Sequence, residues 1–578
     1  MQMQLKTHAR LPFLLLSSVL VLLALFAMGA IKAVSLTEAV TGNTHLVCSS
    51  GCDFNSVQNA VDAAGSGDLI KVAEGTYTSV ETRTAPSGYE GPDTISQVVY
   101  LSKSVTIRGG YSTSNWTTPD PIAHPTILDA QGQGRVLFIY GDIAAKIEGL
   151  RLTGGDAYDL GGNLWTDVGG GIYVHTASVT ISNCDIYENV AGSEWGGAGG
   201  GISLTSSPAT IQDSTIHDNV ASTSGDGYGG GIALDNSPAT ITRNKIFNNV
   251  ASSGDWGYGG GVDLYASDAV LNTNEITNNF ASTSSQGYGG GLHIAESAAE
   301  IANNTIRDNT ASTVHDGFGG GLHLSEGGGV FHGNIIKGNV ATANSSSYGY
   351  GGGLDLFLSS ATLSSNIIQD NIAGSGVWSY GGGLSLADSG GQMINNVIID
   401  NQAGGIGAGL YISGTVPSLT HTTIARNRGG DGTGLYLTHE TELALTNTIL
   451  VDQTTGLHAE SGTEADLDGI LWHGNTNNYS GDGTVNVSSA STGDPAFTSD
   501  GYHVSAGSAA IDAGIDAQIE EDIDGESRPN QIADLGADEY WSSSIPTATN
   551  TPVPSPTPSS TPAPDAENLL YLPVINGR

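Results

Sequence analysis

The sequence predicts an all-β protein whose main body is a solenoid of stacked coils. A triple glycine recurs every 30 residues, with one interval of 32, and two weaker copies follow. Each unit carries three short runs of strand composition and no helical apolar stripe; in one copy the runs read GIALD, ATITR and KIFNN. A period of this length is typical of solenoids, in which each unit buries its apolar side against its neighbours. The triple glycines lie at 169–171, 199–201, 229–231, 259–261, 289–291, 319–321, 351–353 and 381–383.

Asparagine fills two columns of the repeat. One column contains Asn249, Asn279 and Asn309, and the other, five residues earlier, contains Asn244 and Asn274. Asparagine tolerates turn conformations, and amides stacked in consecutive coils can form a hydrogen-bonded ladder. We predict that these columns are structural; an amide-lined binding groove is the alternative.

The repeat and the segment before it resemble the right-handed parallel β-helix of the pectin-lyase-like superfamily. The stretch FNSVQNAVDAAGSGDLIKVAEGTY (54–77) looks like a capping helix followed by a first coil, and VVYLSKSVTIRGGY looks like a later one. The resemblance covers about residues 48–480. It implies about a dozen coils with three short strands each, a cap with early coils over 48–165, and triple-glycine coils over 166–480.

The two ends of the chain predict an extracellular protein. Residues 1–30 have basic residues before a long apolar run, which indicates a signal peptide; an uncleaved membrane anchor is the alternative. Cys48 and Cys52 in CSSGC are expected to form a disulfide, with a metal pair as the competing interpretation. Cys184 is expected to be a buried free thiol.

The character of the sequence changes at about Gly493. Residues 481–541 contain SAAIDAG, DIDGESRP and DLGADEY and resemble the choice-of-anchor domain of bacterial secreted proteins. Such a segment can cover the open edge of the last coil. Residues 542–567 form a Pro/Thr/Ser-rich linker, and 568–578 are a short tail that suits a sorting signal. Within DIDGE, Asp522 and Asp524 resemble part of a calcium loop, although turn chemistry explains them equally.

The charge of the protein restricts the classes of molecule that it can bind. The formal net charge is −40. A surface of this sign repels phosphate backbones, so nucleic-acid binding is excluded.

An aromatic column precedes the triple glycines. Most copies contain extra residues before the glycines, which indicates a ridge of stacked loops. Flat aromatic faces suit sugar rings, so the column is a candidate sugar-stacking platform; the alternative is that each ring packs on the next and covers glycine backbone. The candidate substrate-binding residues are Tyr228, Trp256, Tyr258, Tyr288, Phe318, Tyr350 and Tyr380.

A second column follows the glycines, on the outward side of the strand. At its centre it reads Asp263, His293, His323 and Asp355. Carboxylates beside imidazoles orient the rings and raise their pKa, as an acid/base pair or a metal site requires. We predict an exposed row of candidate catalytic residues; a solvated polar stripe is the alternative.

The chain lacks the motifs of the known enzymes of this fold. NTD, GHG, RxPxxR and DPHE are absent, and Ser79 replaces the Glu of GxYxE. The sequence therefore favours a secreted or cell-surface protein that binds extracellular polysaccharide or a cell-envelope component, with calcium as the one cofactor considered. The alternative is a polysaccharide lyase, glycosidase or epimerase that uses the exposed His/Asp row.

Overall fold

The computed structural model describes residues 42–163, 166–192, 194–528 and 532–541. The predicted signal peptide, linker and C-terminal tail lie outside these residues. The described part contains one helix, Val57–Ala63, which begins where the Ser56 side chain accepts the Asn59 N–H. Its residues Val57, Ala60 and Val61 are buried in the core of the first coils, as expected for a capping helix.

Apart from this helix, the described residues up to Thr492 form a parallel β-solenoid. Each regular coil holds the three predicted strands and two further short ones, which border the predicted loop. Equivalent strands of successive coils pair in parallel, so the coils build four sheets, here called A to D.

Sheet A contains the strands that follow the triple glycines. Its first two strands are antiparallel, and the others pair in parallel. Its strands are Glu81–Thr84, Thr94–Leu101, Arg135–Tyr140, Ile172–His175, Ile202–Thr205, Ile232–Asp235, Val262–Tyr265, Leu292–Ala295, Leu322–Ser325, Leu354–Phe357, Leu384–Ala387, Leu410–Ser413, Thr433–Thr438, Thr455–Ala459 and Asn477–Ser480.

Sheet B combines the next two strand positions of each coil. The long strands Glu442–Val451 and Glu464–His473 run through both positions and join them. Its strands are Thr44–Val47, Leu69–Ala73, Gly75–Tyr77, Thr106–Tyr111, Thr126–Asp129, Ala144–Glu148, Arg151–Thr153, Ser178–Ser182, Asp185–Tyr187, Ala209–Gln212, Thr215–His217, Ala239–Thr242, Lys245–Phe247, Val270–Asn272, Glu275–Thr277, Ala298–Ala302, Thr305–Arg307, Gly328–His332, Ile335–Lys337, Ser360–Ser364, Ile367–Gln369, Gly390–Ile394, Val397–Ile399, Ser418–Thr420, Thr423–Ala425, Glu442–Val451, Glu464–His473 and Thr484–Thr492.

Sheets C and D lie on either side of the loop in each coil. The strands of sheet C are Val190–Gly192, Val220–Ser222, Val250–Ser252, Phe280–Ser282, Thr310–Ser312, Val340–Thr342, Ile372–Gly374 and Gln402–Ala403. The strands of sheet D are Asp167–Val168, Gly197–Ala198, Gly227–Tyr228, Gly257–Tyr258, Gly287–Tyr288, Gly317–Phe318, Gly349–Tyr350 and Ser379–Tyr380.

The core consists of aliphatic columns that run along the solenoid. In sheet A the residues on either side of the His/Asp column are buried, for example Val262 and Leu264 beneath Leu292 and Ile294. One coil cannot bury these side chains alone, so the apolar contribution to stability arises between coils.

Both asparagine columns form buried ladders. Asn279 Nδ2 donates to Asn309 Oδ1 at 3.0 Å and to the carbonyl of Ile246 at 2.9 Å, and Asn279 Oδ1 accepts from the backbone and side chain of Asn249. Asn244 and Asn274 repeat this pattern in the other column. The structural prediction is confirmed, and the binding-groove alternative is wrong because these amides are buried.

The cysteine predictions are also confirmed. Cys48 and Cys52 form a disulfide, with their Cα atoms 5.7 Å apart. Cys184 is free and buried, and burial raises the pKa of its thiol to about 12. A thiol in this environment is inert at neutral pH.

Residues 494–528 and 532–541, here called the lateral segment, fold back along the outside of sheet B. Leu535 and Ala537 belong to the same apolar cluster as Ile399 and Val451 of the coils. The sequence prediction placed a cap over the open edge of the last coil in residues 481–541, and the first part of that range is itself a strand that pairs with Glu464–His473. The last strand of sheet B, Thr484–Thr492, pairs on one side only and is largely exposed.

Candidate functional site

The His/Asp column has the predicted register. Asp263 pairs with His293, His293 with His323, and His323 with Asp355 on consecutive parallel strands of sheet A. The imidazoles of His293 and His323 stack with centroids 5.5 Å apart and planes 5° from parallel. His293 Nδ1 lies 2.5 Å from Asp263 Oδ1, and His323 Nδ1 lies 2.9 Å from Asp355 Oδ2. The four side chains therefore form two His–Asp pairs placed back to back.

The row is not exposed, and this part of the prediction is wrong. All four residues are at most 7% exposed. Burial raises the pKa of Asp263 against the opposing effect of its bond to His293, and burial lowers the pKa of His323 against the effect of Asp355. Both shifts favour neutral side chains. The row is therefore a buried polar network with little exposure to solvent.

The aromatic column of sheet D is what covers the row. Gly259 has φ +61°, and a Cβ there would lie 2.1 Å from the carbonyl oxygen of Val262, so only glycine allows the sharp reversal after Tyr258. The reversal brings the Tyr258 ring to 5.2 Å from the ring of His293 in the next coil. Tyr288 covers His323 at 5.4 Å in the same way.

The rings of this column stack on one another as a continuous ladder. Successive centroids are 4.8–5.5 Å apart, and the planes lie within 18° of parallel. Each inner ring has a neighbouring ring on both faces, so only ring edges reach solvent. Between the two end rings of this column, a sugar has no free face to stack on. The ladder consists of Tyr228, Tyr258, Tyr288, Phe318, Tyr350 and Tyr380.

Four exposed aromatic side chains lie beside the ladder, in the stacked loops between sheets C and D. These loops, here called the loop ridge, are residues 194–196, 223–226, 253–256, 283–286, 313–316, 343–348 and 375–378. Trp195 is 79% exposed, Trp256 41%, Tyr348 40% and Trp378 47%. Of these four, the sequence prediction of substrate-binding residues included only Trp256. Single aromatic residues in loops of variable sequence give no periodic signal.

In four coils of the loop ridge a hydroxyl joins two successive loops, whereas Gly192 and Gly374 take this position in the coils of Trp195 and Trp378. Ser252 Oγ donates to the carbonyl of Gly225 in the preceding loop at 2.8 Å and accepts the N–H groups of Gly254 and Asp255. Ser282, Ser312 and Thr342 donate in the same way to the loop before their own. The loops from 223–226 to 343–348, which contain Trp256 and Tyr348, are therefore joined to one another.

The carboxylates of Asp522 and Asp524, the two residues of the predicted calcium loop, have different partners. Asp522 is buried, and its oxygens accept the N–H groups of Asp524, Glu526 and Glu539, as in a turn. The Asp524 carboxylate instead lies 2.5 Å from His503 Nε2. His503 was not among the predicted site residues, because its partners are distant in the chain.

Comparison with known proteins identifies the fold. The family model of the right-handed β-helix region matches residues 137–340 and 231–428, which together make up half of the chain. The chain belongs to the right-handed β-helix family. No curated protein matches its sequence. Among the described residues, no helix is long and apolar enough to cross a membrane.

Solved structures of the same fold share little sequence with this β-helix protein. The pectate lyase Pel9A is 11% identical, with 86% of this chain and 96% of the lyase covered and a TM-score of 0.27. A mutant of the periplasmic alginate epimerase AlgG is 12% identical, with coverages of 73% and 94% and a TM-score of 0.41. The tailspike of E. coli bacteriophage HK620, in complex with pentasaccharide, is 11% identical, with coverages of 75% and 76% and a TM-score of 0.36. Identities and TM-scores this low carry no conclusion about the function of this chain.

Proposed function

We propose that this protein is secreted or displayed at a cell surface, where it binds an extracellular polysaccharide through the loop ridge. The observation that carries the proposal is the set of four exposed aromatic side chains in this one ridge. Exposed rings on a rigid support suit the flat faces of sugar rings, and binding then costs little ordering of the loops. Coils repeat at about 4.8 Å, so a linear chain can follow the ridge across several coils.

A cleft at one end of the ridge supports the same function. Trp195 forms one wall of a space of about 440 Å³, and Glu90, Pro92 and Asp159 contribute to its lining. Carboxylates accept hydrogen bonds from sugar hydroxyls, while the indole provides an apolar face. An aromatic wall with polar groups beside it suits the end of a glycan chain.

The charge of the protein favours a neutral glycan. With a net charge of −40, the protein repels uronic-acid polymers unless a cation bridges the two. We therefore expect neutral polysaccharides to bind more tightly than pectate or alginate, and the difference to shrink at high salt.

The enzyme alternative lacks an accessible acid/base pair in the His/Asp row, because the aromatic ladder separates these residues from any substrate. The alternative stays a prediction. A screen for reducing ends and unsaturated products over neutral and uronic polysaccharides tests it. Turnover by the native protein that is lost in the His293→Ala variant would favour the enzymatic function over the binding function.

Affinity electrophoresis of the purified protein against a panel of neutral and acidic polysaccharides tests the binding function. The variant with Trp195, Trp256 and Trp378 all changed to Ala should bind at least about tenfold more weakly, since each lost ring contributes about 1 kcal/mol. Tyr479→Ala, which removes an exposed ring in the last coil, should bind normally. Equal retention of the triple variant, or no retention of the native protein by any polysaccharide, would reject the proposal.

A further inference from the structure

Three potential metal ligands meet on the outer side of the lateral segment. His503, Asp524 and Asp538 come from separate stretches of that segment, yet one ligand atom of each lies within 4.8 Å of the others. The cluster is far in sequence from the loop ridge, and the proposed glycan binding does not use it.

The histidine of this cluster is oriented by a fourth residue. Asp500 Oδ1 accepts the N–H groups of Tyr502 and His503, and its Oδ2 lies 2.7 Å from His503 Nδ1. A carboxylate that holds one nitrogen of an imidazole is the usual support for a metal-binding histidine, because it leaves the other nitrogen free to coordinate. Here Asp500 holds Nδ1, and the other nitrogen, Nε2, is turned toward the two remaining carboxylates: it lies at hydrogen-bond distance, 2.5 Å, from Asp524 Oδ2 and 4.0 Å from Asp538 Oδ1.

Asp538 is the most buried member of the cluster. The residue is only 6% exposed, and its Oδ2 accepts the Val504 N–H at 2.6 Å. Its Oδ1 lies 4.0 Å from His503 Nε2, too far for a hydrogen bond. A cation placed between Asp538 and His503 would compensate the charge of this buried carboxylate.

We propose that His503, Asp524 and Asp538 bind a divalent transition-metal ion, Zn²⁺ in the first instance. One imidazole nitrogen with two carboxylate oxygens is a donor set that suits Zn²⁺, whereas Ca²⁺ prefers oxygen ligands alone. Asp522, the other residue expected in a calcium loop, uses its oxygens on backbone N–H groups. The ion would join three stretches of the lateral segment that otherwise share few regular strands.

The three ligands leave room for a fourth on the solvent side. The Asp524 side chain is 50% exposed, so water reaches this edge of the cluster. Four-coordinate Zn²⁺ with three protein ligands completes its shell with water. The site therefore stabilises the segment and keeps one exchangeable position.

Equilibrium dialysis of the full chain, produced without a histidine tag and stripped with a chelator, tests the proposal. Wild-type protein should take up one equivalent of Zn²⁺ or Co²⁺, and bound Co²⁺ should show visible absorption typical of a nitrogen–oxygen site. His503→Gln and Asp524→Asn should weaken binding at least about tenfold. Because Asp524 is half exposed, its variant does not endanger folding, which circular dichroism checks.

His332→Gln is the matched control, because His332 is exposed on sheet B and its Nδ1 contacts only Ser364 Oγ among the described residues. This variant should bind the metal like wild type. Absence of a stoichiometric site, equal binding by the Asp524→Asn protein, or preferential uptake of Ca²⁺ would each overturn the proposal.

Discussion

The regular coils and the lateral segment satisfy their buried polar groups in opposite ways. In the coils, the partner of a residue is its own equivalent one turn away: Asn279 bonds to Asn249 and Asn309. In the lateral segment, partners are unlike and distant. Arg528 donates to Glu539 and to the carbonyls of Gly536 and Ala537. Because the same hydrogen bond is repeated from coil to coil, the coils depend on one another. The lateral segment instead depends on a few contacts that each occur once.

The largest effect is expected from breaking an asparagine ladder in its middle. Asn279→Ala removes four hydrogen bonds and leaves the N–H of Asn249 buried without its acceptor. We expect a loss of about 4 kcal/mol in the free energy of unfolding, measured by urea denaturation, because each buried unsatisfied group costs about 1–3 kcal/mol.

Asn278→Gly is the matched control. Asn278 is the preceding residue, is exposed, and has φ 54°, which glycine adopts readily. This variant should stay within about 0.5 kcal/mol of wild type. Similar losses in the two variants would show that the ladder does not carry the stability of the coils.

A smaller and more local effect is expected in the lateral segment. Arg528 is 5% exposed and joins Glu539 to Asn395 of the coils. Arg528→Met leaves Glu539 buried without its cation, at a cost of about 3 kcal/mol. Limited proteolysis should then cut within residues 494–541 while the coils stay intact.

The coils of that variant should unfold at the same urea concentration as wild type. If the whole chain became protease-sensitive together, the segment and the coils would be one cooperative unit, and the contrast between them would fail.

The smallest effect concerns pH at the contact between the two regions. His421 is 1% exposed, its Nε2 lies 3.0 Å from Asn447 Nδ2, and Asn447 also bonds to Ile515 of the lateral segment. Burial lowers the pKa of His421 to about 3. The ordinary pKa of histidine is about 6.5. Below that pH, His421 takes up a proton in the unfolded chain but stays neutral in the folded chain. The stability contributed by neutral His421 is therefore present above pH 6.5 and falls as the pH drops toward 3, by up to about 1.4 kcal/mol per pH unit.

Comparison with His421→Gln isolates this contribution, because a Gln carbonyl accepts the same bond and does not titrate. Between pH 7 and pH 5, the unfolding free energy of wild type should decrease relative to the variant in guanidinium titrations. Parallel pH profiles would show that His421 does not titrate in this range.

Periodicity explains which features were predictable. The register of Asp263, His293, His323 and Asp355 followed from the 30-residue spacing, and so did the asparagine ladders. The cover over the His/Asp row did not, because it depends on the reversal at Gly259, a backbone conformation that alternation along a strand does not indicate. The meeting of His503 with Asp524 and Asp538 depends on long-range packing and leaves no periodic trace.

The accessibility of the histidines tests the central claim most directly: the His/Asp row is a buried structural network beneath the aromatic ladder. Brief treatment of the native protein with diethyl pyrocarbonate, followed by peptide mass spectrometry, measures this for each histidine. The account predicts rapid modification of His315 and His332, which are exposed, and protection of His293 and His323 until the protein is unfolded. Modification of His293 and His323 in the native protein as fast as that of His315 would contradict this claim. The His/Asp row would then be accessible to solvent and would again be a candidate active site.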